Sequence, residues 1–93
     1  MMGRTALHYA ASNGCADLII ALISAGADVN SVTIGGETPL MKAVFFTKVD
    51  WVQTLLQNGA NPFLAENTGK TALEISTMVG SQEIYNIIQS SST

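Results

Sequence analysis

Apolar residues fall in short blocks at helical spacing. Leu18, Ile19, Leu22 and Ile23 form one block, and Trp51, Val52, Leu55 and Leu56 form another with the same spacing. Each block draws a single apolar stripe down a helix. Leu40, Ala43 and Val44 draw a third stripe ahead of the second block. Start and stop residues bracket these stripes. Thr5, Thr38 and Thr71 are N-cap types, able to accept from an unpaired N–H of the first turn. Pro39 stands at the first helical position, where its missing N–H costs nothing. Thr71-Ala-Leu-Glu74 has capping-box spacing. Gly14 and Gly80 are placed to end short first helices, and Gly26 and Gly59 to end second ones. The predicted unit is helix, turn, helix, extended loop.

The unit recurs. "GRTALHYAASNG" begins at Gly3, "GETPLMKAVFFT" at Gly36 and "GKTALEISTMVG" at Gly69, each 33 residues after the last. "LISAGADVN" from Leu22 matches "LLQNGANPF" from Leu55 in the same register, without a gap. The period and the Thr-[Pro/Ala]-Leu-His-x-Ala start resemble the ankyrin repeat over essentially the whole chain. The resemblance implies an all-α solenoid of stacked helix-turn-helix units with β-hairpin-like finger loops. It also implies a concave face of finger tips and first helices that binds other proteins, with no catalysis by the fold itself. One array over residues 1–93 is expected, with repeats at about 3–35, 36–68 and 69–93.

Two ends of this array read differently. The third copy resembles a C-terminal capping repeat: Gln82, Glu83, Asn86, Gln89 and Ser90 give its second helix a polar outer face. The first copy has Leu18 and Ile20 where N-terminal caps carry charge, and nothing polar shields that end. The expectation is the C-terminal part of a longer array, with this end open to self-association when bare.

Composition narrows the function. Charged residues are 12% of the chain, about half the usual share, and the net charge is −3. Arg4, Lys42, Lys48 and Lys70 are too few and too scattered to track phosphates, which argues against nucleic acid. The longest strongly apolar run, Leu18 to Ile23, is far short of the roughly 20 residues of a membrane span. A single cysteine, Cys15, allows no internal disulfide, and Met1 to Arg4 shows no signal-peptide core. An intracellular protein, cytoplasmic or nuclear, is expected.

Candidate chemistry is sparse. His8 and Cys15 have the types of a base and a nucleophile, but no third orienting group accompanies them. One His and one Cys are too few ligands for a metal. "IGGE" at Ile34 to Glu37 reads as a finger tip, not a phosphate loop. No cofactor, metal or catalytic residue is assigned. By resemblance, His8 links the repeat's Thr hydroxyl to backbone. That network should weaken in copies two and three, where Met41 and Glu74 replace it. By resemblance too, Asn30 in "GADVN" matches a hairpin asparagine hydroxylated in some family members; the competing reading is a turn-stabilising Asn. Its equivalent in copy two is Phe63.

The resemblance puts the sites after the first-helix core on the concave face. Here they hold Phe45-Phe46 and Met78-Val79. With Leu40 at 0°, Ala43 and Val44 fall near about 300° and 40°, Phe46 near 240° and Phe45 near 140°, so Phe45 should be the more exposed ring. Finger positions add Val32, Ile34, Ala65 and Asn67, and the expected partner-binding set is Val32, Ile34, Glu37, Phe45, Phe46, Asn67, Lys70, Met78 and Val79. Thr47 replaces the expected Gly, so either it takes a strained left-handed conformation or the turn is rebuilt, with Phe46 plugging it or Thr47 capping the next helix. The expected role is a protein-binding adaptor or scaffold module. The alternative is a regulatory or targeting segment of a larger enzyme or channel.

Overall fold

The computed structural model describes residues 6–13 and 16–91. The expectations for Thr5, Gly14 and Cys15 lie outside the described residues. Among the described residues six helices follow in order: α1 (Ala6–Asn13), α2 (Ala16–Ser24), α3 (Pro39–Phe45), α4 (Val49–Gln57), α5 (Ala72–Met78) and α6 (Gln82–Ser91). Successive helices pair, and equivalent helices stack: α1 on α3 on α5, and α2 on α4 on α6. The fold is an all-α solenoid in the 33-residue register.

Local chemistry sets the helix starts. The Thr38 hydroxyl accepts from the Met41 N–H at 3.2 Å, and Pro39 opens α3 behind it. At α5 the capping box is complete: Thr71 accepts from the Glu74 N–H, and the Glu74 carboxylate accepts from the Thr71 N–H. Each satisfies a first-turn donor that would otherwise lack a partner. Packing then sets the spacing. Ala10, Ala43 and Ser76 share one register position, and all three are buried. Small side chains there let the first helices stack closely. Ser76 is satisfied locally, its hydroxyl donating to the Leu73 carbonyl. Around them Leu7, Leu40, Val44, Ile19, Val52, Leu55, Ile84 and Ile88 fill one continuous core.

The loops before α3 and α5 form two fingers. In the first, the Thr33 N–H donates to the Glu37 carbonyl at 3.0 Å; in the second, the Glu66 N–H donates to the Lys70 carbonyl at 2.9 Å. One isolated bridge, Ala65 to Thr71, is the remaining trace of β-structure among the described residues. The fingers are joined to each other. The Asn67 N–H donates to the Gly35 carbonyl and the Asn67 side-chain amide to the Ile34 carbonyl, both at 2.9 Å. Gly36 permits this approach: it sits at φ 80°, and a Cβ there would lie 2.6 Å from the Asn67 Oδ1.

The two ends of the stack differ as their sequences do. Tyr9 and Leu18 are exposed, whereas their register equivalents in the third copy, Ile75 and Ile84, are buried. Ile20 is exposed beside them. On the last helix Gln82, Glu83, Asn86, Gln89 and Ser90 face solvent, and Gln82 donates to Asn86 at 2.9 Å.

Candidate partner-binding groove

The turn after α3 departs from the glycine-ended pattern of the repeat. Ala43 and Val44 take the buried stripe, so the residues that follow must point away from the core. Phe45 ends α3, and Phe46 follows as its C-cap. The two rings meet edge to face, with centroids 5.1 Å apart and planes at 89°, a favoured aromatic geometry. Both stay in solvent. Phe45 is 57% exposed and Phe46 45%, in the order that helical geometry predicts. Phe46 does not plug the turn.

Thr47 lies in the left-handed region at φ 55° and is the single non-glycine residue with positive φ among the described residues. Its N–H donates to the Val44 carbonyl at 3.0 Å, and the Lys48 N–H to the Ala43 carbonyl at 2.9 Å. This is the Schellman pattern, which demands a left-handed residue where Thr47 stands. Thr47 therefore does not cap α4. Lys48 holds the cap position without a side-chain bond, and its ammonium lies 5.0 Å from the Trp51 ring centroid.

The other candidate residues fall into two groups. Val32, Ile34 and Met78 are exposed, at 52%, 72% and 63%. The rest are engaged within the chain. The Glu37 carboxylate pairs with the Lys42 ammonium at 2.8 Å. Asn67 joins the fingers. The Lys70 N–H donates to the Glu66 carboxylate, and its ammonium lies 3.4 Å from the Thr68 hydroxyl. Val79 packs partly against the core.

Glu66 was not singled out from sequence, yet it organises the second finger. Its carboxylate accepts from the Thr68 hydroxyl and from the N–H groups of Thr68 and Lys70. The hydroxyl bond from Thr68, followed by the Lys70 N–H, holds its pKa below the ordinary carboxylate value. The signal was available: Glu66 is the register equivalent of Thr33, whose hydroxyl accepts from the Glu37 N–H at the same point of the first finger. Phe63, an exposed aromatic in the loop after α4, was likewise not placed in the groove set.

His8 is fully buried, and its Nε2–H donates to the Glu37 carbonyl at 2.7 Å, tying α1 to the first finger. Met41, its equivalent, is buried without such a bond to offer, and Glu74 is spent on its capping box. Asn30 bridges loops: its amide N–H donates to the Gly59 carbonyl at 3.3 Å, and its Oδ1 accepts from the Asn61 N–H at 2.7 Å. These bonds give Asn30 a structural task. Among the described residues no group of three or more His, Cys, Asp or Glu could hold a metal. An open depression of about 500 Å³ lies between α4 and α6, lined by Gln53, Leu56, Gln57, Asn86, Ile87 and the end of α6; it holds no titratable group.

A family model of ankyrin repeats, in three copies, matches residues 7–92. Among similar proteins, the tyrosine-protein kinase HTK16 of Hydra vulgaris is 33% identical over 90 residues, covering 95% of this chain and 12% of the kinase. The B-cell lymphoma 3 protein homolog of Mus musculus is 40% identical over 72 residues, or 76% of this chain and 16% of that protein. The human 2-5A-dependent ribonuclease is 37% identical over 79 residues, or 84% of this chain and 11% of the ribonuclease. The chain thus spans less than a fifth of each of these relatives.

Proposed function

The chain belongs to the ankyrin-repeat family, and from that premise we propose that it binds a protein partner through its concave groove, as an adaptor or scaffold module. One observation carries the reading. Five large apolar side chains, Val32, Ile34, Phe45, Phe46 and Met78, are held in solvent on the finger tips and first-helix ends. Their exposure is costly unless a partner covers them, and apolar patches of this kind mark interaction sites. Phe45 is the central contact and Phe46 a supporting one; Glu37, Asn67, Lys70 and Val79 border them. The module has no reaction of its own and works inside the cell, in cytoplasm or nucleus. No helix among the described residues is long and apolar enough to cross a membrane.

The share of the relatives that the chain covers favours a second reading: a regulatory or targeting segment of a larger enzyme or channel. The exposed Tyr9, Leu18 and Ile20 fit the same picture, as a face for a preceding helix pair or a second copy of the chain. By resemblance Asn30, half-buried with its amide bonded to Gly59 and Asn61, is the candidate for hydroxylation. The deciding experiment is capture of partners on the intact chain and on Phe45→Ala, followed by affinity measurement on the purified partner. Equal capture and equal affinity by the two would overturn the groove reading.

A further inference from the structure

We infer that Asn58-Gly59, at the end of α4, is a site of spontaneous deamidation that the closed turn holds unreactive, and that its product loosens the joint between copies one and two. Asparagine followed by glycine is chemically labile, because glycine has no side chain to keep its backbone nitrogen from the asparagine carboxamide. Asn58 is exposed. It is the C-cap of α4, at φ −103° and ψ 17°. Its Nδ2–H donates to the Thr54 carbonyl at 2.8 Å. The Gly59 N–H donates to the Leu56 carbonyl at 3.2 Å and the Ala60 N–H to the Leu55 carbonyl at 3.0 Å, a Schellman end around Gly59 at φ 95°. The first copy builds the same end from Ala25 and Gly26: the Gly26 N–H donates to the Ile23 carbonyl and the Ala27 N–H to the Leu22 carbonyl, both at 3.0 Å. The turn therefore does not require an asparagine, and at this register position the labile pair belongs to copy two.

In the reaction the Gly59 nitrogen, its proton lost to solvent base, attacks the Asn58 Cγ. A C–N bond forms, the Cγ–Nδ2 bond breaks, and ammonia leaves with a proton from water. Water then opens the cyclic imide at either carbonyl and leaves aspartate or isoaspartate, so one water enters for each ammonia lost. The five-membered ring requires the Gly59 nitrogen nearly eclipsed with the Asn58 Cβ. At ψ 17° that nitrogen is instead nearly eclipsed with the backbone nitrogen of Asn58, and its N–H is committed to Leu56. Reaction therefore waits for the last turn of α4 to open, a local event that costs less than global unfolding. The product cannot restore the turn. A carboxylate at residue 58 has no N–H for the Thr54 carbonyl, and it sets negative charge at the negative end of the α4 dipole. Isoaspartate also lengthens the backbone just before the Gly59 carbonyl, which accepts from the Asn30 side-chain amide of copy one at 3.3 Å.

The test incubates the intact chain at neutral pH, native and in guanidinium chloride, and follows deamidation by mass spectrometry. Trypsin separates residues 49–70, which carry Asn58, from residues 5–42, which carry the other Asn-Gly pair, Asn13-Gly14. Fragmentation then distinguishes Asn58 from Asn61 and Asn67 in the same peptide. The unfolded chain is expected to deamidate at Asn58, and the native chain at least about tenfold more slowly. Asn58→Asp should lower the urea midpoint and speed hydrogen exchange at the Asn61 amide, which donates to the Asn30 Oδ1 across the joint at 2.7 Å. No reaction at Asn58 in the unfolded chain would overturn the site itself. Equal rates in native and unfolded chains would overturn its control by the turn. An Asn58→Asp chain matching the wild type in both measurements would overturn the loosening.

Discussion

The turns after α3 and α5 occupy the same register and have the same hydrogen bonds, yet they are built differently. Thr47 and Gly80 both hold the left-handed position, at φ 55° and 76°. Thr47 and Lys48 donate to Val44 and Ala43; Gly80 and Ser81 donate to Thr77 and Ser76. The third copy follows the rules: glycine where φ is positive, then Ser81, whose hydroxyl accepts from the Ile84 N–H at 3.3 Å and caps α6. The second copy departs from both, with a β-branched residue in the strained position and an uncapped Lys48 before α4. It also carries two exposed Phe where the third copy has Met78 and Val79. The turn keeps one geometry with and without its glycine, and the second copy's departures fall beside the exposed Phe pair. Departures from local consistency concentrate where function constrains the sequence.

That contrast can be broken in several ways. The largest effect is expected from Phe45→Ala. Burying a Phe ring is worth about 1.5–3 kcal/mol, so partner affinity should fall about 10- to 100-fold. The urea midpoint should hardly move, because the ring adds little to the core. Met78→Ala, its counterpart, should weaken binding less. Unfolding of Phe45→Ala would instead make the ring part of the core.

Next comes the reciprocal exchange at the turns. Gly80→Thr puts a Cβ at φ 76° and should cost about 1–2 kcal/mol in equilibrium urea unfolding. Thr47→Gly relieves the same strain, but glycine loses about 0.5–1 kcal/mol more chain entropy on folding, so the net gain should lie between about 0 and 1.5 kcal/mol. A loss of stability in Thr47→Gly would mean that the Thr47 hydroxyl, which donates to the Phe46 carbonyl at 2.7 Å, matters more than its backbone strain.

Caps sharpen the comparison further. Ser81→Ala should destabilise by about 0.5–1 kcal/mol, while Lys48→Ala removes no cap bond and should cost only its contact with Trp51. Equal losses in the two variants would erase the difference between the turns.

The smallest effect is pH dependence at the fingers. Thr33 organises the first finger with a neutral hydroxyl, and Glu66 the second with a carboxylate. The folded pKa of Glu66 is lowered, so its contribution is complete above the ordinary carboxylate range and lost as pH falls through the lowered folded value. The urea midpoint of the wild type should fall more steeply on acidification than that of Glu66→Gln. Parallel curves would show that the second finger does not depend on that charge.

Much of this was legible in the order of residues. The 33-residue period, the Thr N-caps, the capping box and the burial of Ala43 and Val44 are local or periodic features, and helices obey local rules closely. The preference for exposing Phe45 over Phe46 came from the angle between successive helical residues. Less legible was the use of individual polar groups. Asn67 and Lys70 read as groove residues on position alone, but Asn67 joins two fingers and the Lys70 backbone feeds Glu66. Glu66 escaped notice because glutamate replaces threonine in the same task, and pattern matching follows residue type rather than acceptor geometry.

By itself the sequence determined the repeat, its phase and the face on which each apolar stripe lies, because these depend on spacing along one chain. Whether Thr47 would accept a left-handed backbone was decided only in three dimensions. Taken alone, a threonine there would rebuild the turn. Stacked between α1 and α5, α3 must end where its neighbours allow and α4 must return against α2 and α6. The strain at one residue, about 1–2 kcal/mol, is smaller than the burial of the several apolar side chains that an altered turn would displace.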